Sequence, residues 1–185
     1  LQAAEIVENE DLLPSSLWIN VALAGLSAVL FAFMGRNVEG SRSKMIWVAA
    51  LFIPLVSISS YLGLLSGLTV GVLDMPSGHP ETELLSQWGR YLTWAFSTPF
   101  ILAALGWLAD VDRGDLFAVI GADIGMCITG LAAAQTTSSV ELRWAFYALS
   151  CTFFAVVLYA LLVEWPASAE AAGTGEIFQT LRLLT

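Results

Sequence analysis

Five apolar stretches, near residues 17–36, 45–68, 86–108, 115–134 and 142–163, leave few folds open to this chain. Each is long enough for the roughly 20 helical residues that a hydrocarbon core requires. In lipid, every backbone N–H and C=O must find its partner within the protein, which selects helices over isolated strands. Composition points the same way: of 185 residues, 57% are hydrophobic and 12% charged, far from soluble averages. The expectation is an all-α membrane protein forming one transmembrane domain over residues 1–185. It has five spanning helices and, over 176–185, the start of a sixth.

The connections carry the remaining information on topology. Arg36, Arg42, Lys44, Arg113 and Arg182 fall in or beside the first, third and fifth connections, with Arg143 on the other side. By the positive-inside rule, the amino terminus then faces outward from a multi-pass protein of the cell membrane. The acidic leader with Glu5, Glu8, Glu10 and Asp11 has the wrong flank for a secretory signal. Lacking an initiator Met, the chain reads as processed or partial. The net charge of −9 is compatible with a high-salt habitat.

Residues 69–85, with Val70, Val72 and Met75 before Pro-Ser-Gly, suggest a short extracellular hairpin. The residues around Pro166 to Gly175 read as a small polar connection. Pro54 and Pro99 interrupt the second and third spans, which membrane helices tolerate when neighbouring groups satisfy the freed carbonyls. Trp18, Trp47, Trp88, Trp107, Trp144 and Trp165 fall at span ends, as interfacial indoles do. Cys127 and Cys151 lie within spans, where thiols pack as small apolar groups, and His79 is a single loop histidine. No metal site is expected from such a set.

Residues 90–99, Arg-Tyr-Leu-Thr-Trp-Ala-Phe-Ser-Thr-Pro, hold the most chemistry. An arginine within a membrane costs roughly 2.5–3.5 kcal/mol on insertion scales and normally faces a bundle interior or a wet cavity. Helical spacing aligns Arg90, Thr93 and Ser97 on one stripe free of carboxylates, with Trp94 beside it. A cation with hydroxyl donors suits a small anion. The alternative is structural, with the hydroxyls bonded to their own helix and Arg90 snorkelling outward.

Trp94 lies about 9 Å deeper than Trp88 at the helical rise per residue, where it can meet a flat apolar ligand or simply pack. Thr93 and Ala104 share a face about 16 Å apart, and neither exchanges protons, which argues against a proton relay on this helix. Asp123 sits well inside the fourth span as a structural acid, expected to bridge to the third helix. Lys44, the one lysine, begins the second span and snorkels to the surface rather than reaching the midplane about 15 Å away.

Four segments carry a family resemblance. Residues 54–61 (Pro-Leu-Val-Ser-Ile-Ser-Ser-Tyr), 90–99, 121–126 (Gly-Ala-Asp-Ile-Gly-Met) and 143–148 (Arg-Trp-Ala-Phe-Tyr-Ala) resemble the second to fifth helices of microbial rhodopsins. Within that family the pattern is similar to halorhodopsin, the light-driven chloride pump group. Proton-pumping relatives carry an Asp at the position of Thr93 and another acid where Ala104 stands.

The resemblance implies a seven-helix bundle whose retinal-bearing lysine lies on the seventh helix, beyond residue 185. It implies an anion path through Arg90, Thr93, Ser97 and Gln87. It also implies a retinal pocket of Trp94, Thr98, Ile101, Met126, Gly130, Ser150 and Phe154, with Asp123 hydrogen-bonded to Thr98. The expected activity is inward, light-driven pumping of chloride or another halide by a non-enzymatic protein, as a homotrimer by family analogy, with no nucleic-acid partner. The main rival is a sensory photoreceptor signalling to a membrane transducer. A non-photoactive scaffold or channel subunit explains the hydropathy but leaves residues 90–99 unaccounted for.

Overall fold

The computed structural model describes residues 13–74 and 83–184. The helices are α1 (Leu13–Gly35), α2 (Ser41–Leu65), α3 (Gly89–Ala109), α4 (Arg113–Gln135), α5 (Val140–Ala171) and α6 (Gly175–Leu184). The first five are long and apolar enough to cross a membrane. Successive helices pack as neighbours from α1 to α5, and α6 with the end of α5 folds back onto α3.

Short connections enforce this order. Asp110 closes α3 in the left-handed region at φ 58°, while the Val111 N–H donates to the Gly106 carbonyl at 3.0 Å. An Asp tolerates that conformation because its short polar side chain bonds locally. Asp112 then caps α4, its carboxylate accepting the Gly114 N–H at 2.7 Å. Ser139 caps α5 by accepting from the Leu142 N–H at 3.2 Å. The hairpin is present as strands β1 (Gly71–Asp74) and β2 (Glu83–Ser86), antiparallel with Gly71 opposite Ser86. Met75, His79 and the acidic leader lie outside the described residues.

Two readings are corrected here. The fifth span does not end near residue 163; it passes through a π-helical turn (Ala160–Glu164) and continues to Ala171. Pro166 is accommodated because it stands in the first turn of the resumed α-helix, where a missing N–H costs little. A π turn shifts the carbonyl ladder, and the Leu161 carbonyl accepts from Arg182 Nη1 at 3.2 Å.

Trp165 is likewise no interfacial indole. It is 1% exposed, packed in the core with its ring edge over Gly106 of α3. It is Leu116 that needs glycine here: a Cβ would lie 2.7 Å from its Cδ1, but at an ordinary 3.5 Å from the indole.

The main core gathers at this end of the bundle, where Leu102, Leu105, Ala109, Leu116, Trp165 and Phe178 are buried together. A smaller cluster of Leu17, Leu64 and Val70 closes the opposite end.

Candidate functional site

The first half of α3 carries the polar stripe. Thr93 Oγ1 donates to the Gly89 carbonyl at 2.9 Å, one turn back along its own helix. Its oxygen is also hydrogen-bonded to Ser60 Oγ of α2. Because the Thr93 proton is committed to Gly89, Ser60 is the donor in that pair. Ser97, one turn further, is buried at 7% exposure. Gln87 is half-buried just before the helix, and its carbonyl accepts the Arg90 N–H at 3.1 Å.

Ser60 was not singled out from the sequence. Its neighbours Ser57 and Ser59 donate to the Ile53 and Leu55 carbonyls of their own helix, as membrane serines commonly do. Which serine of the Ser-Ile-Ser-Ser run turns toward Thr93 depends on the rotation of α2 against α3, which spacing alone does not set.

Arg90 does not sit enclosed between helices, as intramembrane cost suggested. It is exposed, and Trp94 below it is 48% exposed, because α1 to α6 leave this side of α3 uncovered. The Trp94 ring meets Tyr91 edge-on at 5.4 Å and 74°.

Deeper on α3, Thr98 Oγ1 donates to Asp123 Oδ2 at 2.5 Å and lies 2.7 Å from the Trp94 carbonyl. Asp123 is 3% exposed. A buried carboxyl is tolerable only with such a partner, and this contact ties α4 to α3 beside Trp94. Ser150 Oγ of α5 donates to the Met126 carbonyl at 2.9 Å, tying α5 to α4 at the same depth.

These ties align three short rows. Trp94, Thr98 and Ile101 follow one face of α3, Met126 and Gly130 one face of α4, and Ser150 and Phe154 one face of α5. Gly130 and Ser150 line a 420 Å³ cavity with Tyr91, Ala133, Trp144 and Tyr147. A Cβ on Gly130 would come to 3.4 Å from both Tyr91 and Ser150, in contact with each. Phe154 is 47% exposed, and Ile101 packs against the buried core. Of these seven residues only Gly130 and Ser150 line that cavity, which Ala134 and Arg143 also border.

The family model for bacteriorhodopsin-like proteins matches residues 11–185. Halorhodopsin of Halobacterium salinarum is 65% identical over 186 residues, an alignment that takes in 100% of this chain and 68% of that protein. A solved structure of halorhodopsin, described as a light-driven chloride pump, superposes with a TM-score of 0.91 at 65% identity, covering 96% of this chain and 75% of the other. The bromide-bound form of halorhodopsin from Halobacterium salinarum gives 0.91 at 64% identity, covering 98% and 75%.

Proposed function

The chain belongs to the bacteriorhodopsin-like family, and from that premise we propose that it is a light-driven inward halide pump that carries retinal. The observation that carries this reading is the acid-free hydroxyl pair of Thr93 and Ser60, held between α3 and α2 at the start of a polar stripe. Arg90 supplies the positive field above it, and Ser97 and Gln87 complete the path. To serve a halide, the Thr93 and Ser60 hydroxyls turn from their present acceptors toward the ion, a rotamer change without backbone movement.

Trp94, Thr98, Ile101, Met126, Gly130, Ser150 and Phe154 are proposed to receive a long, flat, apolar group, and the cavity beside Gly130 and Ser150 supports this reading. Retinal, when bound, supplies light absorption and a buried positive centre that requires an anionic companion. Thr93 offers hydroxyl dipoles and no charge, so a mobile halide takes the companion's place. Asp123, hydrogen-bonded to Thr98, holds α4 against α3 one turn from Trp94.

The lysine that holds retinal is proposed to lie beyond residue 185, since Lys44 is exposed at the start of α2. The amino terminus is proposed to face outward, with Arg36, Arg42, Lys44 and Arg113 on the cytoplasmic side. A homotrimer is proposed on family analogy.

The test uses the protein expressed from its complete gene. Chloride and bromide are expected to shift the visible absorbance, and illuminated vesicles to take up anion. A pigment blind to halide, with no light-driven uptake, refutes the reading. Thr93→Asp sets a carboxylate where the ion binds; at 4 Å and an effective dielectric of 20 the repulsion is about 4 kcal/mol. Halide affinity is expected to fall about a thousandfold. Unchanged affinity in a spectral titration removes Thr93 from the site.

A further inference from the structure

The helical period of α3 gives it a second face opposite the stripe of Arg90, Trp94 and Thr98. It carries Phe96, Phe100, Ala103 and Trp107. Phe96 is 63% exposed on the outer side of α1 to α6, and two grooves open there on either side of Trp107. The larger, 560 Å³, has Ala103 as its floor and Phe117 and Ile120 of α4 as its far wall. The smaller, 290 Å³, runs along Val48 and Ala49 of α2 to Phe100. They share Ser41, Met45 and Trp107.

Both grooves are apolar along the spans and basic at the bundle end. Arg42 and Arg113 stand at the mouth of the larger and Lys44 at that of the smaller. The chain has seven Lys and Arg residues in all and a net charge of −9, yet the linings of the two grooves together hold three cations and one carboxylate, Asp110.

The cations are not equivalent. Arg42 is already engaged, donating to the Trp107 and Leu108 carbonyls at 2.5 and 2.9 Å and lying 3.5 Å from the Asp110 carboxylate. Asp110 thus offsets Arg42, and Asp112 and Asp115 flank Arg113 in sequence. The Asp112 carboxylate is turned to the Gly114 N–H. Lys44 and Arg113 are exposed and carry the remaining positive field.

Two apolar channels that share a wall, beneath one basic mouth at the end of membrane spans, match one molecule class. We infer that this double groove binds a single anionic two-chain phospholipid. Its phosphate rests between Lys44 and Arg113, and its acyl chains run on either side of Trp107. The reading is independent of the halide site, which lies toward the other end of α3.

The test is native mass spectrometry of the protein from its complete gene, released from detergent with graded phosphatidylglycerol or phosphatidylcholine. One phosphatidylglycerol is expected to persist per protomer. Lys44→Gln with Arg113→Gln is expected to reduce its preference over phosphatidylcholine about 25-fold, about fivefold for each cation. Arg113→Lys should keep most of it. Val48→Trp, which fills the smaller channel, should leave a one-chain lysophospholipid bound as well as the two-chain lipid.

Halide-induced absorbance shifts report that each variant is folded. Should the double variant fail to fold, the native protein decides the matter, because equal retention of one-chain and two-chain lipids overturns the inference. Undiminished preference in the folded double variant overturns it too. Displacement of the lipid by glycerol 3-phosphate alone would make this a soluble-anion site, and lipid-free oligomers joined through this face would assign it to a second copy. Either outcome overturns the inference.

Discussion

The two halves of α3 follow opposite rules. Before Pro99 the helix carries the buried Ser97 and two threonines, Thr93 and Thr98, whose bonds are short-range or reach one neighbouring helix, beside a half-exposed Trp94. After Pro99 it carries Leu102, Leu105 and Ala109, buried at 4%, 3% and 0% exposure against α4, α5 and α6. The first half keeps hydroxyls that can change partner at low cost. The second is a tightly packed apolar plug at the far end of the bundle. On the proposed function, an ion released inward from Thr93 passes the level of this tight packing, which lies on another side of α3. Binding and closure are divided along one helix.

The largest break in this contrast is expected from Phe178→Ala. Phe178 has 0% exposure and joins α6 to Trp165 and the end of α3. Truncating a fully buried aromatic typically costs about 3–5 kcal/mol, because the site collapses only in part. Denaturation in mixed micelles should show that loss while the halide-induced spectral shift of the folded fraction persists. A loss under about 1 kcal/mol would mean that α6 contributes little to the plug.

Much of this division could be read from the chain, and the places where it could not are physically specific. The five spans were legible because a bilayer forces about 20 apolar residues per helix, a signal that tertiary packing does not alter. The hairpin was legible from period-two valines. The continuation of α5 was not. Pro166 and the small residues after it look like a connection until Trp165 and Ala169 are seen buried against α3.

At the site, the Thr98 and Asp123 contact was an implication of family resemblance, since the 25 residues between them set no distance. Ser60 was hidden among serines that all can bond their own helix. Arg90 was expected in an interior that α1 to α6 do not enclose.

A smaller break is expected where the hydroxyl half is itself tight. Gly89 is buried at the start of α3, and a Cβ there would fall 2.3 Å from Thr69 Cβ and 2.4 Å from its Oγ1. Those atoms sit next to the backbone and cannot swing away as a long side chain can. Overpacking of this kind costs typically 1–3 kcal/mol, so Gly89→Ala should lower stability by about that much. It should also weaken halide affinity, because the Gly89 carbonyl anchors the Thr93 hydroxyl. Adding Thr69→Gly removes the colliding Cβ and should restore part of both. If it restores neither, the seam between α2 and α3 is held by contacts other than this one.

The smallest expected effect tests the plug at its rim. The Leu108 carbonyl accepts from Thr174 Oγ1 at 2.8 Å and from Arg42 Nη2 at 2.9 Å, so donors from two different segments converge on one acceptor near the end of α3. Thr174→Val removes one donor and keeps the shape. The cost should be near the ~0.6 kcal/mol average for interhelical bonds in membranes, because Arg42 still satisfies the carbonyl. Arg42→Met alone leaves Thr174 in place and is likewise tolerated at that carbonyl. The double variant strips both donors, and a part-buried carbonyl without a partner costs about 1–3 kcal/mol. Its loss should therefore exceed the sum of the single losses by roughly 1 kcal/mol, a coupling of the size seen for residues that share one partner. Strict additivity would show that the two bonds act separately and that the rim, unlike the plug beneath it, opens piece by piece.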